Sequence, residues 1–311
     1  MLSQDGSGFQ STNPFNLLAS DDQWSAPIMA EVGPDGCVWV IDWYNYIVQH
    51  NPTPHGFETG KGQAYETKLR DKRHGRIYRV VHEAGPLAPA ADLSKASPLQ
   101  LVEALRHPVM LVRKHAQRLL VERGKNDVIL PLLELVNDRS YDAVGLNVGA
   151  IHALWVLHGL GQVHSKNVDV IKSVHAALKH PSPGVRRNAV QVLEPVAGSV
   201  DALTSAGLHL DRDANVRLAA VLALADLPAT DRTANAVIQS LASSAPAPDR
   251  WIRDAATSAA ASDGANFLIA VAGNAQWSES IGEVTRVVAG HYARSNPDGR
   301  LGNLLTALQS A

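Results

Sequence analysis

Residues 179–190, Lys179-His180-Pro181-Ser182-Pro183-Gly184-Val185-Arg186-Arg187-Asn188-Ala189-Val190, have a counterpart elsewhere in the chain. Arg106-His107-Pro108-Val109-Met110-Leu111-Val112-Arg113-Lys114-His115-Ala116 aligns with them without a gap, 73 residues earlier. That offset is two periods of about 36 residues, and self-similarity at periods of 20–50 residues signals stacked repeats. A copy lies between them, Gly149-Ala150-Ile151-His152-Ala153-Leu154-Trp155-Val156-Leu157, with Ala153 at the place of Ala116 and Ala189. Val216-Arg217-Leu218-Ala219-Ala220 and Ile252-Arg253-Asp254-Ala255-Ala256 continue the series, so the small residues recur at spacings of 37, 36, 31 and 36.

Outward from these copies, the apolar period predicts helix pairs 98–105 with 109–122, 126–135 with 147–157, and 168–178 with 185–196. The pairs 200–208 with 215–224 and 234–241 with 252–261 follow, then a degenerate pair, 265–272 with 280–293, and a single helix 301–308. Each second helix carries apolar residues four apart on one face, where the alanine lets the next repeat approach closely. A pair of this kind buries its apolar face only by stacking on its neighbours. The expected fold is therefore mainly α, a HEAT/armadillo-like α-solenoid over residues 91–311, with thinner, Ala-rich packing after residue 230.

Arg113, Arg186, Arg217 and Arg253 occupy one recurrent position, three before the small residue. Two readings stay open. The arginines could form a basic ladder on a concave surface that holds an acidic segment, or each could pair with a carboxylate or carbonyl in the turn between helices.

Ahead of the repeats the pattern changes. Residues 1–23 are polar and without period, which predicts loop or disorder. Strands are expected at 26–32, 37–42 and 76–81, the first two joined by the turn Gly33-Pro34-Asp35-Gly36. Three short strands leave two faces and two edges uncovered. A strand, a Gly-x-Asp-Gly turn and a second strand ending in Asp-Trp match one blade of a β-propeller, so residues 24–90 read as a terminal blade with a long loop. On that loop or beside it lie His50, His55, Arg70, Asp71 and His74, with Asp42 at a strand end; these are the candidates for a ligand or metal site. Their spacing matches no metal-ligand signature, so no metal and no cofactor is assigned.

With 28 basic and 30 acidic residues the chain carries no global field for nucleic acid. Its single cysteine, Cys37, allows no internal disulfide and reads as a small buried apolar side chain. No signal peptide and no 18-residue apolar run is visible, so the chain as given reads as cytoplasmic, with no membrane span.

The runs Asp42-Trp43-Tyr44-Asn45, His50-Asn51-Pro52-Thr53-Pro54, Leu69-Arg70-Asp71-Lys72 and His74-Gly75-Arg76-Ile77-Tyr78-Arg79-Val80, followed by helical repeats, carry a resemblance. With the His152-Ala153-Leu154-Trp155 helix, they resemble the planctomycete-type "membrane-bound dehydrogenase" family of large bacterial proteins, over roughly residues 24–230. The resemblance implies a propeller related to sugar and sorbosone dehydrogenases, a HEAT-repeat array, often a carboxy-terminal cytochrome c module, and export from the cytoplasm. This chain holds neither the other blades nor a Cys-x-x-Cys-His haem attachment. It is therefore expected to be a fragment of a larger propeller-HEAT protein. Its expected function is a non-catalytic scaffold that holds a protein or peptide on the solenoid, with the missing blades as a further partner. The alternative is one part of a quinone- or haem-linked dehydrogenase.

Overall fold

The computed structural model describes residues 1–46, 55–56, 71, 73–85, 91–243, 249–273, 277–295 and 299–310. The chain divides into two compact units, one made of residues 1–12, 97–106 and 116–311, the other of 13–96 and 107–115.

The first unit is helical apart from a hairpin at its start. Its helices run α1 (Pro98–Ala104), α2 (Met110–Glu122), α3 (Ile129–Asn137), α4 (Val148–Gly159), α5 (Val168–Ala177), α6 (Pro183–Gln191) and α7 (Ala197–Ser205). They continue with α8 (Ala214–Asp226), α9 (Asp231–Ala242), α10 (Arg250–Ser262), α11 (Gly264–Ala272), α12 (Glu279–Arg294) and α13 (Leu301–Ser310). The unit boundary runs through α2.

Local chemistry explains where the helices begin. Ser97 caps α1 in a reciprocal box with Gln100, and Pro98 at the first helical position loses no hydrogen bond. Asn147, Asp213 and Asp249 accept first-turn amides of α4, α8 and α10. The ends are less regular. Helix α6 stops at Gln191 rather than at 196, and Leu193 is only half-buried, with Val192 in the core instead. Pro195 removes an amide and disfavours helix in the residue before it, which ends this element early.

Packing follows two rows. Helix α4 packs on α6, α6 on α8, α8 on α10 and α10 on α12, while α3 packs on α5, α7 on α9, α9 on α11 and α11 on α13. This is a solenoid of stacked helix pairs. Ala153, Ala189, Ala220 and Ala256 are all fully buried in the first row, as the spacing requires, and Ala116 of α2 is fully buried as well. Leu120, Leu157 and Leu224 lie four residues on and are equally buried, each contributing about 1.5–3 kcal/mol relative to exposure.

Two strands precede the helices in this unit, where the sequence predicts loop: β1 (Leu2–Asp5) and β2 (Gly8–Ser11) form an antiparallel hairpin. Its side chains are almost all exposed, so composition alone reads as disorder. Ser7, in the turn, is buried and supplies the reason for order: its N–H donates to Asp249 Oδ2 at 2.7 Å and its Oγ to Asp249 Oδ1 at 3.0 Å. The hairpin is thus tied to the cap of α10.

The second unit holds a three-stranded antiparallel sheet, ordered β3 (Pro27–Val32), β4 (Val38–Asp42), β5 (Arg76–Val80). Gly36 has φ 81°, a left-handed conformation that the turn between β3 and β4 requires of a glycine. Cys37 is buried. Among the described residues, no helix is long and apolar enough to cross a membrane.

Candidate functional site

The cluster singled out from the sequence divides into three parts. His50 and Arg70 lie outside the described residues, as does most of the long loop. His55 is exposed. Asp42, Asp71 and His74 remain, in two separate arrangements.

Asp42 ends β4 and is 1% exposed. Its Oδ1 accepts the Ala26 amide at 2.7 Å and the Tyr44 amide at 2.9 Å; its Oδ2 accepts the hydroxyls of Ser25 and Tyr78, each at 3.2 Å. Burial by itself raises the carboxyl, but these four donors outweigh it and hold Asp42 below the usual carboxylate range. An ionised carboxylate with four donors has little capacity left to take a proton or a metal. Asp42 ties the start of β3 and the middle of β5 to the end of β4.

Beside it, Tyr44 is held at φ 53°, an outlier for a bulky residue. The Arg76 guanidinium lies 3.9 Å over the Tyr44 ring and donates to Asp22 at 2.5 Å and to the Tyr78 hydroxyl at 3.0 Å. Trp24 packs on Tyr44 and Tyr46 with ring centroids 5.6 and 6.0 Å apart. The hydrogen bonds it donates to the Tyr78 hydroxyl and to Asp22 hold Arg76 well above the ordinary arginine value. The left-handed Tyr44 is thus held by contacts with both Arg76 and Trp24.

Asp71 and His74 do meet. His74 Nδ1 lies 2.5 Å from Asp71 Oδ2, and Asp71 Oδ1 accepts the amides of Arg73 at 2.7 Å and His74 at 3.0 Å. The Arg73 amide and the His74 ring hold the Asp71 carboxyl below its ordinary value. The His74 ring is exposed and stands edge-on to Tyr44 at 6.2 Å. A carboxylate that fixes an exposed imidazole is the elementary unit of general-base chemistry. Among the described residues, no three of His, Cys, Asp or Glu are placed to hold a metal ion.

The outer face of the sheet is a second feature. Met29, Ile41 and Ile77 are directly cross-strand neighbours and are 48%, 43% and 68% exposed. The next row is Glu31, Trp39 and Arg79. Asp35 accepts the Trp39 indole N–H at 3.0 Å and Arg79 Nε at 2.7 Å; the indole hydrogen bond leads the donors that hold its carboxyl down at about 2, against the opposing effect of burial.

The four arginines of the repeat pair with carbonyls or carboxylates of the chain itself. Arg113 Nη1 donates to the carbonyls of His107 and Pro108, at 2.6 and 2.8 Å. Arg186 Nη1 repeats this with His180 and Pro181 at 2.8 and 3.0 Å, and Arg217 Nη1 with Asp211 and Arg212 at 2.7 and 3.4 Å. Arg253 reaches Glu283 at 2.5 Å; its own preceding turn lies outside the described residues. Each of the first three therefore closes the turn before its own helix.

The histidine-proline pair of the motif acts in the same turn, a role that the sequence did not reveal. His107 Nδ1 accepts the Val109 amide and His180 Nδ1 the Ser182 amide, each at 3.0 Å. An imidazole three residues before the helix start thus fixes the turn that leads into the helix. The ordered hairpin was likewise missed, although Asp5-Gly6 between short alternating runs is a hairpin signal.

Among known proteins, no curated protein matches the chain. Residues 1–84, which include both sheets, are similar to a family described as Domain of unknown function (DUF7133).

Proposed function

We propose that the helical repeats are a binding platform for an extended protein or peptide segment, in the manner of HEAT-repeat scaffolds. The observation that carries this reading is an open groove of about 260 Å³ between α6 and α8, walled by Val190, Leu193, Pro195 and Leu222. Leu222 projects from α8 with nearly half its surface exposed, although Leu224 and Val221 beside it are fully buried. Asp226 at the rim gives the groove one charge, which suits a segment with an apolar anchor and a basic neighbour. A second groove of about 430 Å³ lies between α10 and α12, walled by Arg253, Glu283 and Val287. Grooves between successive helices are the natural binding surface of stacked repeats. The test is a peptide array probed with the purified chain. The reading expects saturable binding of apolar-basic peptides that Leu222→Arg abolishes without lowering the thermal midpoint; binding indifferent to Leu222 contradicts it.

A second reading concerns the sheet. The exposed Met29-Ile41-Ile77 row and the place of β3 and β5 at the edges of the sheet among the described residues favour its completion by further β-sheet, as in a propeller of the sugar-dehydrogenase type. Under this reading the Asp71–His74 pair would serve an oxidoreductase site only when the other blades are present. Mixing the chain with a polypeptide that supplies those blades should protect Met29 from peroxide oxidation and yield quinone-dependent dye reduction. Unchanged Met29 oxidation in the mixture argues against it.

A further inference from the structure

Helices α11, α12 and α13 line a half-open pocket of about 460 Å³, inside the size range of small-molecule sites. Leu268 and Val271 line it from α11, and Leu304 and Leu308 from α13. The indole of Trp277 stands at its border, 66% exposed. Gly282 of α12 makes that position possible: a Cβ there would lie 2.9 Å from Trp277 Cζ2, so the indole rests directly on the helix backbone.

One polar atom is out of place in this apolar lining. Thr285, on α12, has its Oγ1 buried with no hydrogen-bond partner. A threonine inside a helix ordinarily bonds the carbonyl four residues back. Thr204 does so to Val200 at 2.7 Å, Thr257 to Arg253 at 2.9 Å and Thr306 to Gly302 at 3.0 Å. Thr285 lacks this bond, and burying a hydroxyl unpaired is costly. Rotation about its Cα–Cβ bond would turn the hydroxyl from this shielded position into the pocket, where a bound molecule would pair with it. The described lining residues carry no charge, so an ionic head group finds no counter-ion there.

We propose that this pocket binds a small uncharged apolar molecule carrying one hydrogen-bonding group, which Thr285 Oγ1 meets while Trp277 covers the apolar body. The site is independent of the α6–α8 groove, and its success or failure leaves that reading untouched.

The probe is N-phenyl-1-naphthylamine, a neutral aromatic amine with one N–H, titrated into the full chain by fluorescence and calorimetry. One saturable site is expected. Thr285→Val, nearly the same shape without the hydroxyl, should weaken binding about fivefold, the worth of one hydrogen bond. Ala289→Phe, which fills the pocket, should abolish it, with helical circular dichroism unchanged in both variants. Octanol should displace the probe better than octanoate. Absence of saturable binding overturns the proposal, as does binding that neither variant alters, or octanoate competing as well as octanol.

Discussion

Arg186 and Asp211 form a two-pronged ion pair, Nε to Oδ2 at 2.7 Å and Nη2 to Oδ1 at 2.8 Å, with both side chains 8% exposed. Arg186 belongs to α6, and Asp211 to the turn before α8, so the pair joins one repeat to the next. Asp211 also accepts the amide of Asp213, which caps α8. Removing one member of a buried pair strands the other, so Asp211→Ala should cost about 3–5 kcal/mol in chemical denaturation. Replacing both, as in Arg186→Met with Asp211→Leu, should cost much less. Equal losses for the single and double variants would refute the joint.

Acid should loosen the same region. His180 is buried, with Nε2 donating to the Asp138 carbonyl at 2.8 Å and Nδ1 accepting the Ser182 amide, so both nitrogens are committed in the neutral form. Burial lowers its pKa from 6.5, and the Arg139 and Arg186 charges act in the same direction. A group lowered in the folded state destabilises that state once the unfolded chain takes up the proton. Stability should therefore be level above pH 6.5 and fall as pH drops through and below that value. His175, lowered by burial as well, adds to the slope. Thermal midpoints measured from pH 8 to pH 5 check this, and His180→Asn should flatten the profile while lowering its plateau.

Much of the helical unit was legible because its period is written in small and large apolar residues, and packing obeys that period. The strands at residues 27–32, 38–42 and 76–80 were legible from their turns. Polar geometry was not. The arginine position admits a ligand-binding and a structural reading from sequence alone, and only the carbonyls of His107, His180 and Asp211 separate them. Ser7 and Asp249 are 242 residues apart, a pairing that no local pattern encodes. Asp42 is a ligand or metal candidate from sequence because a strand-end aspartate reads the same whether its donors come from a ligand or from its own fold.

That assignment has its own consequence. Asp42→Asn puts an amide where four donors converge and should destabilise the sheet unit by ~2–3 kcal/mol. The near-ultraviolet circular dichroism of the Trp24, Tyr44 and Tyr46 cluster should collapse at a lower temperature than in the parent. His74→Gln breaks the exposed pair with Asp71 and the edge contact with Tyr44 but none of the bonds to Asp42, and should leave that transition in place.

The hairpin depends on Asp249. Asp249→Ala removes the cap of α10, worth about 1 kcal/mol, and both bonds to Ser7. Brief proteolysis should then cut within residues 1–12 well before the helices, whereas the parent resists. Cleavage at equal rates in both would show that the hairpin is held by something other than this carboxylate.

The central claim is that the helical unit is a sum of joints between neighbouring repeats, with Arg186 and Arg253 reaching across two of those joints. Hydrogen exchange by mass spectrometry, parent against Asp211→Ala, tests it most directly. The account predicts that amides of α6, α7 and α8 lose protection while those of α3 and α12 keep theirs. A uniform loss of protection from α1 to α12 would show a single cooperative core and contradict it.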